Sequence, residues 1–132
     1  MKVFVSGSKS VNALDPKVIS ILTEYMKEGA EFLVGDCYGV DTEIQKFFAQ
    51  RQYSNVTVYH MGNQPRHLVS NFSTKKIIAY GVSGYRWYQM KDIAMTNDAD
   101  IGIAIWDGVS RGTRDNIQRL DNQGKKVIVI RQ

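Results

Sequence analysis

Three short stretches hold the residue types best suited to chemistry. They are Ser6-Gly7-Ser8-Lys9-Ser10, Gly35-Asp36-Cys37-Tyr38-Gly39-Val40-Asp41 and Asp107-Gly108-Val109-Ser110-Arg111-Gly112-Thr113. Each begins where an apolar run stops, and a helical pattern follows. Glycine lets backbone amides approach a phosphate without a side chain between them, and Ser and Thr hydroxyls add donors. The helix behind such a loop contributes unpaired N-terminal amides and the positive end of its dipole. Lys9 and Arg111 can supply countercharge. Arg66, beside Pro65, either faces the same phosphate or is a solvated loop arginine. Asp36, Asp41 and Asp107 would repel phosphate, so they are expected to cap helices or to accept hydrogen bonds from ribose hydroxyls. A glycine after a strand can equally be no more than a turn. The three loops become a site only as a set at one sheet edge. None is a Walker A loop, and none is a dinucleotide GxGxxG fingerprint.

The elements that must position these loops follow from apolar periodicity. Lys2 to Val5 reads as a buried first strand. Asp15 before Pro16 marks a helix start, Val18, Ile19, Ile21, Leu22, Tyr25 and Met26 follow at helical spacing, and Gly29 is the stop. Phe32 to Val34 and Val56 to Tyr59 read as strands, with a helix carrying Ile44, Phe47 and Phe48 between them. Residues 60–84 are broken by Gly62, Pro65, Gly81 and Gly84 and read as an irregular insertion, in which Lys75 to Tyr80 is a short strand or a helix end. Tyr85 to Asn97 reads as a helix, Ile101 to Trp106 as a strand, Thr113 to Asn122 as a helix and Val127 to Ile130 as a last strand. The expectation is an α/β, Rossmann-like three-layer αβα domain over residues 1–132, with a mainly parallel sheet of about five strands.

Composition narrows the function classes. The chain has 132 residues, 43% of them hydrophobic and 23% charged, as in an ordinary globular domain. Its single cysteine, Cys37, excludes an internal disulfide and suits the cytoplasm. No apolar run is long enough to span a membrane. The net charge of +4 is scattered, the densest basic stretches being pairs such as Lys75-Lys76 and Lys125-Lys126. That distribution tolerates anionic ligands and argues against nucleic acid. His60 and His67 form no cluster with the lone cysteine, so no metal site is expected. Cys37 has no identifiable base and reads as a small filler. Tyr85, Trp87 and Tyr88 could stack on a base, cover a subunit interface or belong to the core.

The segments "VFVSGSKS", "LVGDCYGVDTEIQKFF" and "KDIAMTNDADIGIAIWDGVSRGT", in this order, resemble the SLOG superfamily, the Rossmann-like group that includes the DNA-processing protein DprA (Smf) and the LOG cytokinin-activating enzymes. The resemblance covers nearly the whole chain. It implies nucleotide-type ligand binding by Gly7, Ser8, Gly35, Asp36, Gly39, Asp41, Asp107, Gly108, Ser110, Gly112 and Thr113. Lys9, Ser10, Val40, Arg66 and Arg111 join them by position. LOG-type hydrolases carry a Pro-Gly-Gly-x-Gly-Thr-x-x-Glu motif. Here the proline and second glycine are absent, and Asn116 stands where the catalytic Glu would be. An amide cannot act as a carboxylate base. The first expectation is therefore a protein that senses, carries or sequesters a nucleotide or NAD-derived metabolite, without a separate cofactor and as a homo-oligomer. The alternative is a nucleoside-phosphate N-glycosidase using Asp115, Asp107 or Asp41. A third, a protein–protein module with a vestigial pocket, is the weakest.

Overall fold

In the computed structural model, which describes residues 1–132, every strand is parallel to its neighbours. The elements alternate along the chain. Strand β1 (Lys2–Gly7) leads to helix α1 (Pro16–Lys27), β2 (Glu31–Val34) to α2 (Val40–Gln50), and β3 (Val56–His60) to β4 (Ser73–Lys76). Helix α3 (Tyr85–Asp98), β5 (Ile101–Trp106), α4 (Arg111–Asn122) and β6 (Val127–Arg131) complete the fold. Four helices flank one six-stranded sheet of order β4-β3-β2-β1-β5-β6, a Rossmann-like αβα arrangement. The chain builds outward from β1 to one edge, then returns to place β5 on the other side of β1. The strand order reverses there, and the crevice at the carboxyl ends of β1 and β5 is where open α/β sheets take ligands.

The two faces of β1 have different partners because its side chains alternate. Val3 and Val5 enter a cluster of 19 buried residues with Val18 and Leu22 of α1, Phe32 of β2 and Ile44 and Phe48 of α2. Phe4 enters a cluster of six on the opposite face, with Leu33, Tyr59, Met95, Ala99 and Leu120. Ser6, two residues beyond Phe4, shares this second face. The cleft opens on this second face, lined in part by residues of α3 and α4. No helix is long and apolar enough to cross a membrane.

The sheet has six strands rather than about five. The additional strand is β4, within residues expected to be irregular, and it pairs with β3 from Thr57↔Ser73 to His60↔Lys76. Its sequence is Ser-Thr-Lys-Lys and all four residues are exposed. It therefore has no apolar signature, and its lysines suit an edge that must not recruit another strand. Of Lys75 to Tyr80, read as a short strand or a helix end, only Lys75 and Lys76 lie in a strand, as the last two residues of β4. Gln45, fully buried on α2, ties the preceding segment down. Its amide donates to the carbonyls of Gly35 (3.2 Å) and His67 (3.0 Å), and its oxygen accepts from the Val69 amide at 2.9 Å. His60 is buried at the end of β3, with Nδ1 3.2 Å from the Met61 carbonyl.

Candidate functional site

A cleft of about 560 Å³ opens at the carboxyl edge, between the end of β1, the first turn of α4 and the flank of α3. Its outer part is donor-rich. The first helical bond of α4 runs from the Arg114 amide to the Ser110 carbonyl at 3.2 Å. The amides of Arg111, Gly112 and Thr113 precede that bond and have no acceptor within the helix. All three residues line the cleft, together with Lys9. Gly112 keeps the approach clear: a Cβ placed on it would meet nothing nearer than the Tyr85 hydroxyl, 3.9 Å away. The Arg111 guanidinium lies 4.3 Å from the Tyr85 ring centre, and its Nε is 4.0 Å from Asp115 Oδ2. Backbone dipole and side-chain charge thus point the same way, towards an anion.

The turn that presents this helix end is held by Asp107. Its carboxylate accepts from the amides of Val109 (2.8 Å) and Ser110 (2.7 Å) and from the hydroxyls of Ser110 (2.7 Å) and Ser10 (2.9 Å). These bonds, led by the Ser110 amide, hold its carboxyl well below the usual carboxylate range. The Asp107 amide donates to Ser8 Oγ at 3.0 Å, which joins the first and third loops. Gly108, with φ of 81°, lies against the Arg131 guanidinium.

Arg66 reaches the opposite rim on the segment anchored by Gln45. Asp36 accepts from its amide (2.8 Å), Nη2 (2.8 Å) and Nε (3.3 Å), and the Tyr88 ring lies 4.6 Å beneath its guanidinium. Burial pushes the Asp36 carboxyl up, but the hydrogen bonds and charge of Arg66 outweigh it and leave the group below its ordinary value. Asp36 is buried and serves as the arginine's anchor rather than as an open acceptor.

Deeper in the cleft the character changes. Phe4 and Met95 form an apolar floor, bordered by Ser6, Asp41, Lys91, Asp92, Thr113 and Asn116. Lys91 Nζ donates to Asp92 Oδ1 at 2.8 Å, and Asn116 Nδ2 donates to Asp92 Oδ2 at 3.2 Å. Arg119 in turn fixes Asn116 by donating to its oxygen at 2.9 Å. Asp41 accepts from the Cys37 amide at 3.0 Å. A Cβ on Gly35 would stand 2.5 Å from Asp41 Oδ2 and 3.3 Å from Lys91 Nζ, so the carboxylate and the ammonium flank that glycine. Burial pushes the Asp41 carboxyl up to about 6, with Lys91 opposing the rise only in part. Burial also pulls the Lys91 ammonium down, but Asp92 and Asp41 more than reverse this and hold it above the ordinary lysine value. Ser6 Oγ, buried beside them, has no hydrogen-bond partner.

Of the residues expected from sequence, Gly7, Ser8, Lys9, Gly35, Asp41, Arg66, Ser110, Arg111, Gly112 and Thr113 line this one cleft. Ser10, Asp36, Gly39, Val40, Asp107 and Gly108 do not; they brace its walls. Val40 is fully buried, and a Cβ on Gly7 would meet its side chain at 2.6 Å. Gly39, with φ of 79°, packs on the Lys9 backbone, where a Cβ would lie 2.5 Å from the Lys9 carbonyl oxygen. Asp115 accepts from the Tyr85 hydroxyl (3.0 Å) and Gln89 (3.2 Å) at the cleft's edge. Helix α1 does not reach the cleft, because residues 8–15 intervene after β1. Gln89, Lys91 and Asp92 line the cleft with no role expected of them from sequence, and Ser6, named only as the start of the first loop, lines it too. A signal for Lys91 did exist: it falls four residues before Met95, on the apolar face of its helix, where a charge needs a reason. No protein-family model matches the chain, and no curated protein matches it.

Proposed function

We propose that this chain is a nucleotide-binding protein of the SLOG type. It holds a nucleotide or NAD-derived phosphorylated metabolite in the carboxyl-edge cleft, as a sensor, carrier or sequestering protein of the cytoplasm, and it self-associates. The observation that carries the reading is the open first turn of α4. Three unpaired amides, an unobstructed Gly112 and the cations Lys9 and Arg111 face one volume large enough for a mononucleotide. Arg66, preset by Asp36 and Tyr88, adds a second planar donor at the far rim. Cleavage of an N-glycosidic bond is the weaker alternative. Asp107 is occupied by its own turn, Asp115 by Tyr85 and Gln89, and the amide of Asn116 stands beside Asp92 in place of a carboxylate, which leaves Asp41, held by the Cys37 amide, as the one candidate carboxyl lining the cleft.

The test is a melting-temperature screen against mono- and dinucleotides, with each mixture then resolved by chromatography. A ligand selective for the folded state raises the melting point by mass action, by roughly 2.7 kcal/mol of stability at a hundredfold excess over Kd. The expected result is a rise of several degrees with at least one phosphorylated ligand, recovered intact. Release of free base would favour the hydrolytic alternative. No rise with any nucleotide, or with inorganic phosphate, defeats the binding reading.

A further inference from the structure

We infer that the inner end of the cleft is a separate subsite that takes an organic cation, so that the ligand carries phosphate at one end and a positively charged ring or amine at the other. The inference rests on the binding reading above and specifies the class of ligand.

The charges in the inner cleft do not balance. Arg66 is paired with Asp36, which leaves Asp41 and Asp92 around the single ammonium of Lys91. Lys91 donates to Asp92 and stands beside Asp41 without forming a close ion pair with it. One carboxylate is therefore in excess, in a place where burial makes an uncompensated charge costly. Its proton affinity reports the same shortage. The Asp41 carboxyl lies near 6 despite Lys91, because burial and the neighbouring carboxylates of Asp92 and Asp36 act together against its ionisation.

Ser6 supplies an independent observation. The residue is about 5% exposed and lines this end of the cleft, and its buried hydroxyl has no partner, an arrangement native structures rarely leave unmet. The strand register explains its position: Val5 pairs with Val34, so Ser6 follows beside Gly35, the glycine that the Asp41 and Lys91 groups flank. A ligand group placed there meets one hydroxyl and an excess carboxylate. The floor decides which kind of cation fits. Phe4 and Met95, an aromatic and a thioether side chain, line this end, and such apolar, polarisable groups suit an organic cation and not a hydrated metal ion.

The polarity across the cleft then becomes intelligible. Amides, Lys9 and Arg111 at the mouth select the anionic end, and the carboxylate-rich inner wall orients the other end inward. A ligand with phosphate alone would satisfy only half of the site.

Nicotinamide mononucleotide and its reduced dihydro form make a matched pair, with the same phosphate and nearly the same shape but a ring that is cationic in one and neutral in the other. Calorimetric titration of the full chain at pH about 7.5 is expected to show the cationic form binding about tenfold tighter or more. Asp92→Asn should narrow the preference to within about threefold by weakening the cationic form more than the neutral one, and Ser6→Ala should weaken both forms. Equal affinities in the wild-type chain, or a preference for the neutral ring, overturn the inference even if the variants fail to fold. If neither form binds while other nucleotides raise the melting point, the cation subsite is wrong and the binding reading stands. If no phosphorylated ligand binds at all, both fall.

Discussion

The β2–α2 and β5–α4 loops look alike as sequence, each a glycine-rich bridge with an acidic residue between an apolar strand and a helix. The fold uses them in opposite ways. In the β2–α2 loop the space that glycine leaves is filled by the protein itself. Gly35 accommodates Asp41 and Lys91, and Gly39 accommodates the backbone of Lys9. Beyond the β5–α4 loop, whose own Gly108 packs on Arg131, Gly112 in the first turn of α4 faces open volume and the helix end is bare. The acidic residues diverge as well. Asp41 is buried in the inner cleft with a carboxyl held near 6, whereas Asp107 is tied into an exposed turn that keeps it ionised. Glycine between strand and helix thus leaves two kinds of space here, one filled by the chain itself and one open to the cleft. The atoms that occupy the space tell them apart.

The strongest way to break this contrast is Gly39→Ala. A side chain there must adopt φ near 79° and also collide with the Lys9 main chain, which cannot move without distorting the first loop. The expected loss is about 2–4 kcal/mol in denaturant unfolding. A loss below about 1 kcal/mol would mean that the β2–α2 loop is as open as its counterpart.

Asp41→Asn addresses the acidic residues. The folded-state pKa of Asp41, about 6, lies above the ordinary aspartate value of 3.8, so the native state holds the proton more tightly than the unfolded chain. Its contribution is therefore fully present below about pH 4 and is lost as pH rises through about 6. The variant lacks this titration. Relative to wild type it should gain about 1–3 kcal/mol between pH about 4 and 7, measured as the difference between the two unfolding curves. A difference that stays flat across that window would show that Asp41 is not the buried acid described here.

Gly112→Ala should have the smallest effect on stability and a clear one on binding. Nothing in the protein obstructs the new methyl group, and alanine in the first helical turn is tolerated at least as well as glycine, so stability should change by less than about 1 kcal/mol. The methyl group would project into the cleft where the anion is placed, and affinity for a phosphorylated ligand should fall about tenfold by titration. Unchanged affinity would remove the α4 terminus from the site.

Apolar periodicity and glycine stops are local properties of the chain, so the α/β class, the alternation of strands and helices, and the strand-end loops were legible before any folding was known. The sequence also pointed to Lys9, Arg66, Arg111, Gly112 and Thr113, whose types suit an anion. Strand β4 was illegible because an exposed edge strand of Ser, Thr and Lys buries nothing and so leaves no apolar pattern. The division of labour among the glycines was decided only in three dimensions. Whether Gly39 meets Lys9 or a ligand depends on how two loops 30 residues apart in the chain come to rest on each other. The same holds for the inner cleft. Ser6, Asp41, Lys91 and Asp92 come from three separate elements, and a charge imbalance exists only where the sheet order brings them together away from water.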